Sequence, residues 1–249
     1  MHYNSRNQAV VLTDADYKKL TKIAKCLINK VDMPQLGLYS MASQNDLWLN
    51  LVLQFCIVSG KIMTDDLRAD KKRLHEFREK LNFRLLSSMQ NNRKEYISKV
   101  LKEYKATSFY NKQAERIEEV LNSTNVINHN ELVLLKGIDH RRQNYKEIRA
   151  LLMSRVPNLK LKSASGFMVE KGLSLDVIAI STRVGDILKQ HFDLNIDNQK
   201  IQSSRKLYET IESSLRQGCN KIGIPLAYLS RMLFHYSEKD TITYILEDT

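Results

Sequence analysis

Lys162 is the side chain best placed to do chemistry in this 249-residue chain. It follows VPNLKL, Val156 to Leu161, which separates two stretches of helical pattern, Asn144 to Ser154 and Lys162 to Lys171. Pro157 cannot continue the first helix, and Asn158 tolerates the left-handed backbone that a tight turn needs. A hairpin of a few residues therefore joins two helices. The second opens at Lys162, where free backbone N–H groups and the positive end of the helix dipole make a phosphate seat. That dipole end and the neighbouring Arg and Lys residues both lower the pKa of an amine. Such an amine serves either as a phosphate contact or, once unprotonated, as a nucleophile.

Charge concentrates on the same segment. From Arg141 to Lys171 the basic residues are Arg141, Arg142, Lys146, Arg149, Arg155, Lys160, Lys162 and Lys171, and the acids are Glu147 and Glu170. The segment thus carries +6 of the chain's net +11, which comes from 39 Lys and Arg against 28 Asp and Glu. A basic helix–hairpin–helix points to binding of the DNA backbone. A generic helical hairpin with a solvated face is the alternative.

Other reactive residue types do not gather. The histidines, His2, His75, His129, His140, His191 and His235, show no pair at metal-ligand spacing, so no metal site and no cofactor are expected. Cys26, Cys56 and Cys219 make neither a disulfide framework nor a CxxC pair, which suits a reducing compartment. There is no phosphate-binding glycine loop. The opening MHYNSRNQ lacks an apolar stretch, and Leu47 to Gly60 is too short to span a bilayer and contains Asn50 and Gln54. The expectation is an intracellular, cytoplasmic, nucleoid-associated monomer with no membrane partner.

The elements that position these residues are helices. Only 8 Gly and 3 Pro occur, too few for the many tight turns of a sheet-rich fold. Thr13, followed by Asp14 and Asp16, caps a helix reaching about Lys30. Trp48 to Val58 is apolar nearly all round, as in the centre of a bundle. Leu67 to Met89 reads as one or two amphipathic helices. Tyr110, Ala114, Ile117 and Leu121 recur at helical spacing, as do Leu207, Ile211 and Leu215, and a last helix runs from about Pro225 to Tyr236. Trp48 and Tyr110 read as packing residues rather than base-stacking platforms.

With the hairpin, its charge and the helices in place, a family resemblance emerges. PNLKLKSASGFM, Pro157 to Met168, resembles the helix-hairpin-helix signature P-G-V-G-x-K-T-A of the DNA glycosylase and AP lyase superfamily. Pro157, Lys162 and Ala164 match, and Ser163 stands in for Thr. IAISTRVGDIL, Ile178 to Leu188, resembles the family's V-D-T-H-V segment, and Ser181 falls 19 residues after Lys162, at the spacing of its catalytic aspartate. WLNLVLQFCIVSG, Trp48 to Gly60, is similar to the buried helix ahead of the family's DNA-intercalating wedge. FYNKQAERIEEV, Phe109 to Val120, and Leu207 to Tyr236 look most like the compact archaeal-type 8-oxoguanine DNA glycosylase/lyase.

The resemblance implies an all-α fold of two helical subdomains, with the helix-hairpin-helix motif flanking a DNA-binding cleft. It implies an N-terminal helical segment over residues 1–45 and a glycosylase-like domain over 46–249. The function implied is excision of a damaged or modified base from double-stranded DNA, with AP lyase activity through a Lys162 Schiff base. Lys162 and Ser181 take the catalytic positions. Arg155, Asn158, Lys160, Ser163, Arg183 and, at the wedge, Lys61 take DNA-binding ones. The hairpin glycines of the family are Asn158 and Lys160 here, and Ser181 carries no charge at neutral pH. Three readings stay open. The protein is a slow or mainly lyase enzyme, Asp176 or Asp186 supplies the missing carboxylate, or the scaffold binds DNA without catalysis.

Overall fold

A computed structural model of the chain describes residues 1–4, 9–57, 63–236 and 241–247. The described residues are overwhelmingly helical, and their strands are confined to two two-stranded ribbons. The chain divides into two compact units, one made of Met1–Leu38 and Met168–Thr249, the other of Tyr39–Phe167. Among the described residues no helix is long and apolar enough to cross a membrane.

The first unit opens with β1 (His2–Asn4) and β2 (Ala9–Val11), paired antiparallel. Then comes α1 (Asp14–Leu27), which starts on Thr13 as its sequence dictates. The Thr13 hydroxyl accepts from the Asp16 N–H while the Asp16 carboxylate accepts from the Thr13 N–H. Such a cap stabilises a helix by about 1 kcal/mol. Leu20, Ile23, Ala24 and Leu27 make its buried face.

The second unit is built around α2 (Gln44–Cys56), whose residues from Leu47 to Cys56 are all buried. A Ser43–Asp46 capping box starts this helix four residues ahead of Trp48. Trp48 is buried, and its indole N–H donates to the Leu81 carbonyl at 2.7 Å. The stretch expected as one or two helices over 67–89 is three: α3 (Met63–Ala69), α4 (Lys71–Lys80) and α5 (Phe83–Ser88). Asp70 and Asn82 break it, because their side chains cap the N–H groups of Arg73 and Arg84.

Next, α6 (Arg93–Glu103) and α7 (Tyr110–Leu121) pack together, burying Ile97, Val100 and Leu101 from one and Ala114, Ile117 and Leu121 from the other. A ribbon of β3 (Ile127–Asn128) and β4 (Glu131–Leu132) precedes α8 (Tyr145–Arg155), which Asn144 caps. The hairpin leads into α9 (Leu161–Lys171), within which the chain passes from the second unit to the first. Gly172, at φ +62°, stops α9: a Cβ there would sit 1.8 Å from the Gln35 carbonyl oxygen. Its own carbonyl accepts from the Gly37 N–H at 2.7 Å.

The first unit then resumes with α10 (Thr182–His191), α11 (Asn198–Ser203), α12 (Arg205–Lys221), α13 (Leu226–His235) and α14 (Thr241–Glu247). The spacing of Leu207, Ile211 and Leu215 puts all three on the buried face of α12. Pro225 is the N-cap of α13 rather than a residue of its first turn. The last helix, α14, has no counterpart in the sequence reading, its seven residues being too few to display a period.

Candidate active site

The hairpin has the expected form, shifted by one residue at each helix end. The α8 helix closes on Val156, whose N–H donates to the Leu152 carbonyl at 3.0 Å. Asn158 sits at φ 62°, the left-handed conformation that glycine adopts most easily. Its exposed side-chain amide donates to the Glu119 carboxylate on α7, so asparagine supplies both the backbone angle and a clip. Lys160 shows no such backbone angle, and a side chain costs nothing there. Leu159 is buried, anchoring the turn, and Lys160 projects outward, exposed. The Lys160 carbonyl accepts from the Ala164 N–H at 2.8 Å, which opens α9.

Lys162, the second residue of α9, does not point straight into solvent. Its Nζ donates to the carbonyl oxygen of Ile57 at 2.9 Å, at the C-terminal end of α2. The side chain is half-buried, but its amine lies deep enough to lose most of its water. That desolvation, aided by the Arg68 guanidinium, lowers the pKa to about 8. At pH 7 roughly a tenth of such amines are unprotonated, against fewer than one in a thousand for an ordinary lysine. Desolvation also pushes the buried Cys56 thiol up to about 12, which leaves it inert as a nucleophile.

The approach of α9 to α2 depends on small groups. The Ser163 hydroxyl donates to the Gln54 carbonyl at 3.4 Å. One turn further, a Cβ on Gly166 would lie 2.4 Å from Gln54 Oε1. Gln54 is buried, as is Asn50 one turn before it. These two polar side chains and the Ile57 carbonyl lie at positions i, i+4 and i+7 of one α2 face. Gln54, Gly166, Arg68 and Glu119 were missed in the sequence reading. Asn50 and Gln54, four residues apart within an apolar run, were the available signal for a polar face.

The other candidates lie in varied settings. Arg155 ends α8 and turns its Nη1 to the Leu134 carbonyl at 2.9 Å, while its own carbonyl accepts from Ser123 Oγ. Arg149 is buried and donates to Ser165 Oγ at 3.1 Å. Arg141, Arg142, Lys146 and Lys160 are exposed, so the basic segment divides between surface and interior. Lys61 lies outside the described residues.

In the first unit, Ser181 is buried and is the N-cap of α10, its hydroxyl accepting from the Val184 N–H at 3.3 Å. The strand-like approach to it is held by side chains. Tyr208 Oη donates to the Ile178 carbonyl at 2.7 Å and accepts from the Ile180 N–H, and Ser230 Oγ accepts from the Ala179 N–H. Arg183 stacks on the Phe234 ring at 5.2 Å. Asp176 is ion-paired with Arg216 at 2.7 Å, and the exposed Asp186 accepts from Asn198 Nδ2 at 2.7 Å. Among the described residues no group of His, Cys, Asp and Glu is arranged to hold a metal ion.

Residues 38–224 match the family model Ogg-HhH, described as 8-oxoguanine DNA glycosylase. Two solved structures are similar over most of their length, both from Methanocaldococcus jannaschii. One is an 8-oxoguanine glycosylase/lyase in complex with 15mer DNA containing 8-oxoguanine, at 17% identity and TM-score 0.61, covering 88% of this chain and 95% of that one. The other is the 8-oxoguanine DNA glycosylase MjOgg, at 19% identity and TM-score 0.61, covering 89% of this chain and 93% of that one. No curated protein sequence matches.

Proposed function

This chain belongs to the helix-hairpin-helix family of 8-oxoguanine DNA glycosylases, and from that premise we propose that it acts on duplex DNA as a glycosylase with AP lyase activity, with Lys162 as its nucleophile. The observation that carries the reading is the Lys162 amine, desolvated to a pKa of about 8 at the first turn of the hairpin's second helix. The preferred base is an oxidised purine, the class found in the DNA of the M. jannaschii complex.

The target nucleotide is flipped out of the duplex so that its C1′ becomes accessible. The Nζ lone pair attacks C1′, and the glycosidic bond breaks with its electron pair leaving on the base, which takes up a proton. The sugar ring opens to a Schiff base. Loss of a C2′ proton then expels the 3′ phosphate, and water releases the lysine. In the unprotonated amine the Lys162–Ile57 hydrogen bond uses an N–H and leaves the lone pair free, so the Ile57 carbonyl orients the amine. The exposed Lys160 and the N–H groups at the start of α9 bind backbone phosphates.

Ser181 bears on the balance of the two steps. The first step builds positive charge on the sugar, and a hydroxyl committed to capping α10 stabilises that charge poorly. An abasic site has already lost its base and needs less of that help. The lyase step therefore outpaces base removal. The same observation favours a second reading, a DNA-binding protein on this scaffold with little or no catalysis.

Borohydride reduction of a protein–DNA Schiff base tests the proposal. Duplexes carrying 8-oxoguanine, other oxidised bases or an abasic site are incubated with the protein, reduced, and resolved by size. A covalent complex on the abasic duplex, absent in Lys162→Gln, is expected. Tight binding with no trapped complex on any duplex establishes the second reading instead.

A further inference from the structure

On the unit that carries the hairpin, α6 and α7 flank an open groove lined by Lys94, Lys99 and Lys102 from one helix and Lys112 from the other. All four lysines are exposed. Along it the Ser98 hydroxyl donates to Asn111 Oδ1 at 2.6 Å. Glu95 and Glu115 also line it, leaving an excess of two positive charges. The remaining acids nearby are engaged elsewhere: Glu118 with Arg93, Glu103 with Lys80, and Glu119 with Asn158. Among the described residues no carboxylate lies within ion-pair distance of Lys94, Lys99 or Lys112, and Lys102 sits over the Tyr110 ring.

The groove and the hairpin are neighbours on the same unit. Lys112, Glu115 and Glu119 are exposed at positions i, i+3 and i+7 of α7 and so form one stripe. Glu119 receives the hairpin's Asn158, and Lys112 is roughly 10 Å back along the helix axis at about 1.5 Å per residue. In duplex DNA about 3.4 Å of axis separates successive phosphates of one strand. A duplex lying along α7 would span about three base pairs over that distance.

We infer that the α6–α7 groove is a second DNA-backbone site, which takes phosphates about three base pairs to one side of those at the hairpin. Lysine suits this task, being a flexible point charge that follows phosphates without reading sequence. The inference rests on the proposed function only in taking duplex DNA as the partner, not on catalysis.

The test measures affinity and salt dependence of the full chain on duplexes with a tetrahydrofuran abasic analogue, shortened stepwise from each end. The variant carries K94Q, K99Q and K112Q. On the longest duplex its affinity falls at least about tenfold, and the log–log salt slope drops by roughly 2.7 if three phosphate contacts are lost. Shortening one flank to within two base pairs of the hairpin phosphate abolishes the difference, while shortening the other flank does not. Equal binding by both proteins on every duplex overturns the inference, as does a loss independent of length. So does retention of DNA binding with loss of an acidic polypeptide, polyglutamate, which would make the groove a protein-docking site. Should the triple variant melt early, the three single variants are compared, each taking about 0.9 from the slope. Trapping on matched duplexes that carry a true abasic site, whose C1′ aldehyde tetrahydrofuran lacks, separates the two proposals. A length-dependent loss without trapping keeps the groove and removes catalysis, whereas trapping without that loss does the reverse.

Discussion

Lys162 Nζ and the Ile57 carbonyl oxygen meet at 2.9 Å, joining the first turn of α9 to the residue that caps the C-terminal end of α2. The lysine is held there with roughly a tenth of its amines unprotonated at pH 7. Lys162→Gln should abolish trapping on abasic DNA yet bind the duplex almost as well, since one charge in a shared basic footprint contributes little. In the unaltered protein the trapping rate should climb as pH rises from 6 and level off above about 8, where the amine is mostly free. Trapping that persists in Lys162→Gln, or a rate that still climbs steeply to pH 10, would assign the chemistry to another amine.

The same group has a stability consequence. Burial makes native Lys162 a weaker base than unfolded Lys162, so stability rises with pH between about 8 and the ordinary 10.5. Below 8 the cost of the buried charge is present in full. Lys162→Met should therefore raise the melting temperature at pH 7, by no more than the equivalent of about 3 kcal/mol before loss of the Ile57 bond is deducted. The gain should vanish above pH 10.5. Thermal melts of both proteins at pH 7 and 11 decide it.

Ser181→Asp should speed base removal in single-turnover assays by roughly 10²–10³-fold, the worth of one well-aimed charge. Aspartate caps a helix as well as serine does, so α10 should keep its first turn, while the charge placed at this buried position should lower the melting temperature. A folded but slower variant would place the supporting charge elsewhere.

Gly166→Ala should loosen the α2–α9 packing, because the new methyl meets Gln54 Oε1 at 2.4 Å. Overpacking of this kind costs typically 1–3 kcal/mol. Trapping should slow as Lys162 is displaced. The double variant with Gln54→Ala should regain much of the lost stability, and a double-variant cycle of melting free energies measures this coupling. Strict additivity would mean that the clash is relieved without moving Gln54.

Lys160 and Arg155, alike in charge and five residues apart, should separate cleanly. Lys160→Glu should weaken DNA binding and flatten its salt dependence with little change in melting, because its side chain is exposed. Arg155→Glu should chiefly destabilise, because its guanidinium supports the Leu134 carbonyl and a carboxylate there would repel it. Binding and melting curves on both variants test the division.

What could be read in the sequence was local. Pro157, Asn158 and Lys162 specify the hairpin within six residues, and Thr13 and Asn144 announce their helices by side chains a few positions away. The Lys162–Ile57 and Ser163–Gln54 bonds join residues 105 and 109 positions apart, and no period within either segment reveals them. The charge of Arg155 was legible, but its bond to the Leu134 carbonyl, 21 residues away, was not. Asp70 and Asn82 were legible as breakers, but hydrophobic spacing over 67–89 outweighed them and merged three helices into one or two.

The division of the chain has a consequence for its birth on the ribosome. Residues 39–167 are consecutive, so every partner they need within their unit has been made once residue 167 emerges. The opening segment, residues 1–38, must wait for partners that begin at residue 168, about 130 residues later. At about 5–20 residues per second this is roughly 6 to 26 seconds of synthesis. Throughout it, Leu20, Ile23 and Leu27 of α1 lack the apolar surface that covers them in the finished protein. The nascent chain thus presents one greasy helix ahead of a unit whose own partners are complete first, the kind of segment a ribosome-bound chaperone is built to shield.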